Sequence, residues 1–397
     1  RVRADLALDR VAFAAADGKG QSVSIAWGDV LGAHLLTANG ERLAAPVHLE
    51  TVDKTQSYLL AVFACPTRTH KPGTLKKRHL MEYFFRFSGE SMAAAQSLQT
   101  YINWLADPRS LAQLKQAASL EEIDPVERSP RKFLVLINPV GGSGKGVQLY
   151  ETKVAPIFKF ANIDATVKQT ERANHALEIA KELPLGVYDA VVAVGGDGSL
   201  YETGVSYAVL VYNAVVQGLM KREDWNKAIR QPIGIIPGGS GNGLAHSIAH
   251  QSEEKGKPTN AAFMLVKGLP HDLDITSMRN GKETTYSFLS LEWASVADVD
   301  IGSEKLRALG DLRFVVAYVH QILFLKKEYP GKLWYLDEDA NGGESPPRYF
   351  DVVDPESSMR PEMDLFANAD SNADADADVV TAGGKWKEVG DHFRIVW

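Results

Sequence analysis

Cysteine is nearly missing from this chain of 397 residues: Cys65 stands alone and cannot close an internal disulfide, which excludes a stapled fold and fits a reducing compartment. No apolar run reaches the length of a membrane span; the nearest, Tyr207–Met220 and Phe314–Leu325, are short enough to be buried helices. The first residues carry no secretory pattern. Positive charge is not in excess either, with 43 Lys and Arg against 50 Asp and Glu for a net charge of −7. That balance supplies no basic field, so no nucleic-acid partner is expected. An initiator methionine is also lacking. The chain opens at Arg1 and stops at Trp397 inside the strand-like "DHFRIVW", so it is expected to be a piece of a longer protein.

What is present fits a globular protein, with 45% hydrophobic and 23% charged residues and a length suited to two or three domains. Residues 1–90 hold strand-like runs such as "SVSIAW", "YLLAVFA" and "MEYFFRF". The stretch "SMAAAQSLQTYINWLADP" then predicts a helix, with Ser91 at its N-cap, Leu98, Tyr101, Ile102 and Leu105 on one face, and Pro108 as its stop. Strands closed by one helix predict a small PH-like domain over 1–108, followed by a linker over 109–130. The basic loop Arg68–His79 reads either as a solvated hairpin tip or as a contact for acidic lipid headgroups.

The rhythm then changes. "FLVLI" (133–137), "AVVAV" (190–194) and "IGIIP" (233–237) are short continuous apolar strands with helical patterns between them, which predicts a parallel sheet covered by helices over 131–268. From about residue 269 to 397 the pattern becomes antiparallel, with Asn280-Gly281 as a hairpin turn and "ADVD" (297–300) read as strand. Inside it, "ANADSNADADADVVTAGG" (367–384) has almost nothing to bury and reads as a disordered insertion. It is not a calcium loop, because the glycine at the sixth position and the acid at the twelfth are missing.

Each core strand empties into glycine: "NPVGGSGKG" (138–146), "GGDGSLYE" (195–202) and "PGGSGNGLA" (237–245). Ligands bind at the carboxyl ends of parallel strands, and glycine lets backbone N–H groups turn toward an anion at the start of a helix. Any one loop is an ordinary tight turn; three in register are shaped for phosphate. The first is neither a Walker A loop, having Pro139 and Gly146 at two required positions, nor a G-x-G-x-x-G loop. Asp197, set between Gly196 and Gly198, is placed to reach both a phosphate and an acceptor hydroxyl, as phosphoryl transfer needs.

In order and spacing, "INPVGGSGKG", "TERANHALEIA", "VGGDGSLYE", "IPGGSGNGLA" and "ADVDIGSEKLRALGDLRF" resemble the sphingosine kinases, the long-chain-base branch of the diacylglycerol kinase catalytic superfamily. The resemblance covers about residues 131–335 and implies an α/β nucleotide subdomain followed by an antiparallel β-sandwich for the lipid. It implies ATP, bringing Mg2+, at Asn138, Gly141, Gly142, Ser143, Gly144, Lys145 and Thr170, with the second loop adding Gly195, Gly196, Gly198 and Glu202. Gly238, Gly239, Ser240, Gly241 and Asn242 form the third part of that cradle, and Arg307 and Arg313 reach the phosphates. Asp197 is then the catalytic base, Asp300 and Ser290 bind the sphingoid base, and Asp298 is structural. The chain departs from the family at Ala294-Ser295, at Val140, and in the absence of a late Asp-Gly-Glu after Phe393. NAD kinases and phosphofructokinases share a "GGDG" turn but not the "GGSGN" loop or "ADVD". The alternatives are a ceramide or diacylglycerol kinase and a non-catalytic lipid-binding relative. The resemblance also implies a cytoplasmic protein that associates peripherally with membranes.

Overall fold

The computed structural model describes residues 2–15, 22–67, 73–139, 144–196, 211–239, 242–279, 284–288, 293–309, 312–321, 323, 329–336, 386–393 and 395–396. The chain forms two compact units, Arg1–Val215 with Gln231–Asp272, and Val216–Arg230 with Leu273–Trp397.

The first unit opens with β1 (Val2–Leu6), β2 (Arg10–Ala15) and β3 (Val23–Ala26) in one antiparallel sheet. A second antiparallel sheet holds β4 (Val30–Thr37), β5 (Ser57–Ala64) and β6 (Met81–Ser88). Phe13 stacks on Phe85 at 3.9 Å between the sheets. Helix α1 (Met92–Ala106) buries Met92, Ala95, Ile102 and Leu105 against them; Ser91 holds its N-cap position without a side-chain cap, and the chain turns at Pro108. The short helix α2 (Leu111–Gln116) follows.

Next comes β7 (Arg131–Ile137), then a helical run that changes pitch: α3 (Gly146–Leu149), a π-turn at Tyr150–Val154, and α4 (Ala155–Phe160). Pro156 has no N–H for the ordinary i→i−4 bond. The wider π-turn just before it takes up the mismatch, with Ala155 N–H donating to Tyr150 O. Then come β8 (Ile163–Gln169), α5 (His175–Lys181), β9 (Ala190–Gly195), α6 (Val211–Met220), α7 (Trp225–Ala228), β10 (Ile233–Pro237), α8 (Gly243–Gln251) and α9 (Pro258–Lys267). The four strands form one parallel sheet in the order β10-β9-β7-β8. The expected parallel sheet is therefore present, with β8 as a further edge strand. Its central strands are buried on both faces, which explains their unbroken apolar runs. As expected, α6 is buried.

The β4–β6 sheet packs directly on the α/β sheet's helices. Leu31, Leu36, Ala61, Phe63 and Cys65 share one apolar core with Phe133, Val135, Ile157, Phe158, Phe263 and Val266, while alternate residues of the same strands face β1–β3 and α1. Phe63 stacks on Phe160 at 3.8 Å. Gly32 is required at this contact, since a Cβ there would lie 2.5 Å from Phe160 O. Burial lowers the pKa of Lys267 to about 8, and its ammonium donates to the carbonyls of Trp27, Val30 and Ala106.

In the second unit, β11 (Thr276–Arg279) and β12 (Thr284–Ser287) pair antiparallel. The expected turn residues Asn280 and Gly281 between them lie outside the described residues, as does the acidic insertion. β13 (Trp293–Ala294), α10 (Ser295–Ser303), α11 (Leu312–His320), β14 (Tyr329–Leu336), β15 (Trp386–Phe393) and β16 (Ile395–Val396) also belong to it, as do α7 and the end of α6, with β14 on β15 and β13 on β16, both antiparallel. Two expectations are corrected here. The "ADVD" run is helix α10 rather than strand. The described part of the Phe314–Leu325 run is not a buried helix: α11 turns Leu312, Val315, Val316 and Val319 outward, each at least 46% exposed.

Candidate nucleotide site

The four parallel strands end together, and the backbone binds their ends to one another. Thr170 N–H, just past β8, donates to Ile137 O at 2.8 Å, and Gly238 N–H, just past β10, donates to Gly195 O at 2.8 Å. Because β7 lies between β8 and β9, the chain reverses direction across the sheet there, and such a switch point opens a crevice at the carboxyl edge. On the same carboxyl edge, past the ends of β7 and β8, lies a cavity of about 170 Å³ lined by Asn138, Pro139, Thr170, Glu171, Asn174 and His175 among others.

Local geometry explains each position. Asn138 is buried at the tip of β7. Gly146 opens α3 directly beneath it, where a Cβ would come within 3.0 Å of Asn138 O and 3.2 Å of Ile137 Cγ2. Gly144 has φ +71, the left-handed region that favours glycine. Lys145, at the N-cap of α3, is exposed. On the other side, Asn174 (φ 63) holds the N-cap position of α5 without a side-chain cap, and Glu171 N–H donates to His175 Nδ1 at 3.1 Å. His175 therefore carries its proton on Nε2 when neutral. In the third loop the Asn242 amide closes a two-way clamp. Its Oδ1 accepts from Gly239 N–H at 3.2 Å, and its Nδ2 donates to Gly239 O at 2.7 Å. The helices α3 and α8 both begin at these loops, so both present their positive ends there.

Sequence reasoning named Asn138, Gly144, Lys145, Thr170, Gly195, Gly196, Gly238, Gly239 and Asn242, and all lie on this carboxyl edge. It assigned no role to Glu171, Asn174 and His175, although their place just past a strand end was a signal for them. Gly141, Gly142, Ser143, Asp197, Gly198, Glu202, Ser240, Gly241 and Ser290 lie outside the described residues, as do the side chains of Asp300 and Arg307.

The second unit holds the remaining candidates. Arg313 on α11 is buried, with its guanidinium 4.3 Å from the Phe314 ring centroid. Asp298 accepts a hydrogen bond from Tyr329 Oη at 2.5 Å, and that hydroxyl accepts from Gln321 Nε2 at 2.8 Å, so Asp298 ties α10 to β14.

A parallel α/β sheet with glycine turns at its carboxyl edge is suited to binding an anionic ligand there, and residues 132–278 match the diacylglycerol kinase catalytic domain. The chain is 34% identical to sphingosine kinase 1 of Arabidopsis thaliana, covering 68% of this chain and 51% of that protein. It is 38% identical to sphingosine kinase 1 of Homo sapiens, covering 55% of each. Sphingoid long chain base kinase 4 of Schizosaccharomyces pombe is 35% identical over 51% of this chain and 41% of its own length. The crystal structure of a diacylglycerol kinase from Bacillus anthracis str. Sterne aligns with a TM-score of 0.37 at 19% identity, over 55% of this chain and 61% of that one; the fold rests on the strand pairing instead. Residues 132–278 thus match the diacylglycerol kinase catalytic domain and the chain is similar to the sphingosine kinases, while it spans about half the length of these curated relatives.

Proposed function

We propose that the protein is an ATP-dependent lipid kinase that phosphorylates the primary hydroxyl of sphingoid long-chain bases. The observation that carries this reading is the convergence of four strand ends, two helix N-termini and the Asn138–Thr170 cavity at one edge of the sheet. Relatives 34%, 38% and 35% identical to the chain are named as sphingosine or long-chain-base kinases. In this reading Asn138 and Thr170 bind the nucleoside end of ATP, and the glycine backbone and Lys145 meet its phosphates, with Mg2+ carried by those phosphates. Asp197 takes the hydroxyl proton as the lipid oxygen attacks the γ-phosphorus and ADP leaves. Asp300 pairs with the ammonium of the base, Ser290 lines the lipid site, and Arg307 and Arg313 meet the phosphates.

The architecture that goes with it is a PH-like domain over 1–108, a linker over 109–130, the nucleotide subdomain over 131–268 and an antiparallel lipid sandwich over 269–397. The two antiparallel sheets with α1, and the strand pairs of the second unit, support it. A cytoplasmic protein that meets the membrane from one side also fits. No helix of the described residues is long and apolar enough to cross a membrane, and α11 carries an exposed apolar face.

The test is phosphate transfer from labelled ATP to sphingosine, ceramide and diacylglycerol. Sphingosine should be the preferred acceptor. Asp197→Asn should lower turnover by roughly 10²–10⁴ while ATP still binds. A parent that prefers diacylglycerol or ceramide would overturn the sphingoid assignment, and an Asp197→Asn enzyme within a few-fold of the parent would remove Asp197 as the base.

A further inference from the structure

The helix that follows the third glycine loop is fastened at both ends. The Asn242 clamp holds its start, and a buried ionic knot made with the N-terminal sheets holds its finish. After α8 the chain turns through Glu253, in the left-handed region at φ 58, and reaches Glu254, which is 3% exposed. The Glu254 carboxylate accepts from Arg78 Nε at 2.7 Å and from Asn260 Nδ2 at 2.7 Å. Arg78 Nη1 donates to Asp29 Oδ1 at 2.7 Å and to Cys65 O at 2.8 Å, and the guanidinium lies 3.6 Å over the Phe263 ring. The backbone joins the same place. Lys76 N–H donates to Glu253 O at 2.7 Å, and Lys255 N–H to Lys76 O at 2.9 Å. Gly256 then folds back on α8, so close that a Cβ would lie 2.3 Å from His246 Nδ1.

A buried ion pair gains little net stability over apolar packing of the same volume, because both charges lose their water. What this arrangement does supply is geometry. A planar guanidinium with fixed donors, gripped by a carboxylate on each side, a carbonyl and an aromatic face, permits one placement of the segment that bears Glu254. That segment is the turn just past α8, tied to its last turn by Glu254 N–H donating to Ala249 O at 2.7 Å, and the nine residues of α8 span about 13 Å from there to the glycine loop.

We propose that Arg78 is a positioning residue for nucleotide binding: acting through Glu254, it sets the placement of α8, and with it Gly239 and Asn242, so that the N-terminal sheets tune affinity for the nucleotide phosphates. This rests on the reading of that loop as part of an ATP site.

Two variants of the full chain test it. Arg78→Lys keeps the charge, but one ammonium cannot span Glu254, Asp29 and the Cys65 carbonyl. The double variant Arg78→Met with Glu254→Gln removes both charges of the buried Arg78–Glu254 pair together, leaving only the partly exposed Asp29 carboxylate without its partner. Each is assayed for KM for ATP, KM for sphingosine and kcat, and for hydrogen exchange over residues 242–248 without nucleotide. KM for ATP should rise about three- to ten-fold and exchange should quicken several-fold. The lipid KM and kcat should stay within two-fold, and Arg78→Lys should fall between parent and double variant. A lower melting temperature with unchanged KM for ATP and unchanged exchange would overturn the proposal. So would equal losses in every kinetic constant. If the parent shows no kinase activity, the functional reading fails by itself. Quickened exchange would still support the coupling of Arg78 to α8, and unchanged exchange would end it.

Discussion

His34 sits where the N-terminal sheets meet the end of α4, 2% exposed and within 3.1 Å of Asn162 Oδ1. That oxygen also accepts from Arg42 Nη2 at 2.6 Å, so His34 is the donor in the pair, neutral and protonated on Nε2. Burial first, and the Arg42 charge second, push its pKa down to about 3. In the unfolded chain the same imidazole takes up a proton near its ordinary value of about 6.5. Between those values the unfolded state binds more protons than the folded one, so stability rises with pH across that window and is lost on acidification. The slope from this single group approaches about 1.4 kcal/mol per pH unit. His34→Gln keeps a donor for Asn162 but does not titrate, so its melting temperature should fall less than the parent's between pH 7 and 5. Equal falls would assign acid sensitivity to other groups. Nothing in "LGAHLLT" announces this role, because burial on the outer face of β4 comes from a helix more than a hundred residues later. Asn138, Thr170 and Gly238, by contrast, were legible because a strand end followed by glycine carries its meaning locally.

At the scale of elements, the third glycine loop depends on one side chain. Asn242 is the donor and the acceptor that hold Gly239, and no other natural side chain of its length offers both an amide N–H and a carbonyl oxygen. Asn242→Ala frees the loop, and ATP affinity should drop roughly three- to ten-fold, in line with the loss of about one to two hydrogen bonds. Asn242→Asp should cost more, since it sets a carboxylate against Gly239 O and beside the phosphates. Titration of ATP into both variants measures this; affinities within two-fold of the parent would show that the loop holds its shape without the clamp. The elements misread from sequence are those with ambiguous periodicity. "ADVD" alternates over only four residues, too few to outweigh the Asp298–Tyr329 tie and the turn of α10. Apolar spacing in α11 is that of an amphipathic helix, but spacing does not say whether the apolar side meets a core or faces outward.

At the scale of the molecule, the N-terminal strands read from sequence as a PH-like domain followed by a linker, and in the first unit their sheets share an apolar core with the α/β sheet. If they were a tethered accessory, a chain beginning at residue 131 would fold as well as the parent. The structure argues for the opposite outcome. Removing residues 1–130 uncovers the Phe160 ring stacked on Phe63, and it strips α4 and α9 of the face that Leu31, Leu36, Ala61 and Cys65 cover. Lys267 loses the three carbonyls that accept from its ammonium, although exposure then restores its hydration. Glu254 loses Arg78, a change that costs about 3–5 kcal/mol where the carboxylate stays buried. Domains are stable by only about 5–15 kcal/mol, so the apolar loss and the ionic loss together take most of that margin. The shortened chain should therefore be poorly soluble or unfold without a cooperative transition. Restoring residues 1–130 as a separate polypeptide should recover part of the transition, because the contacts are surface-complementary rather than covalent. Soluble yield and thermal unfolding of the parent, the shortened chain and the recombined pair check this. A shortened chain that melts cooperatively within a few degrees of the parent would mean that the α/β sheet is complete without its N-terminal cover.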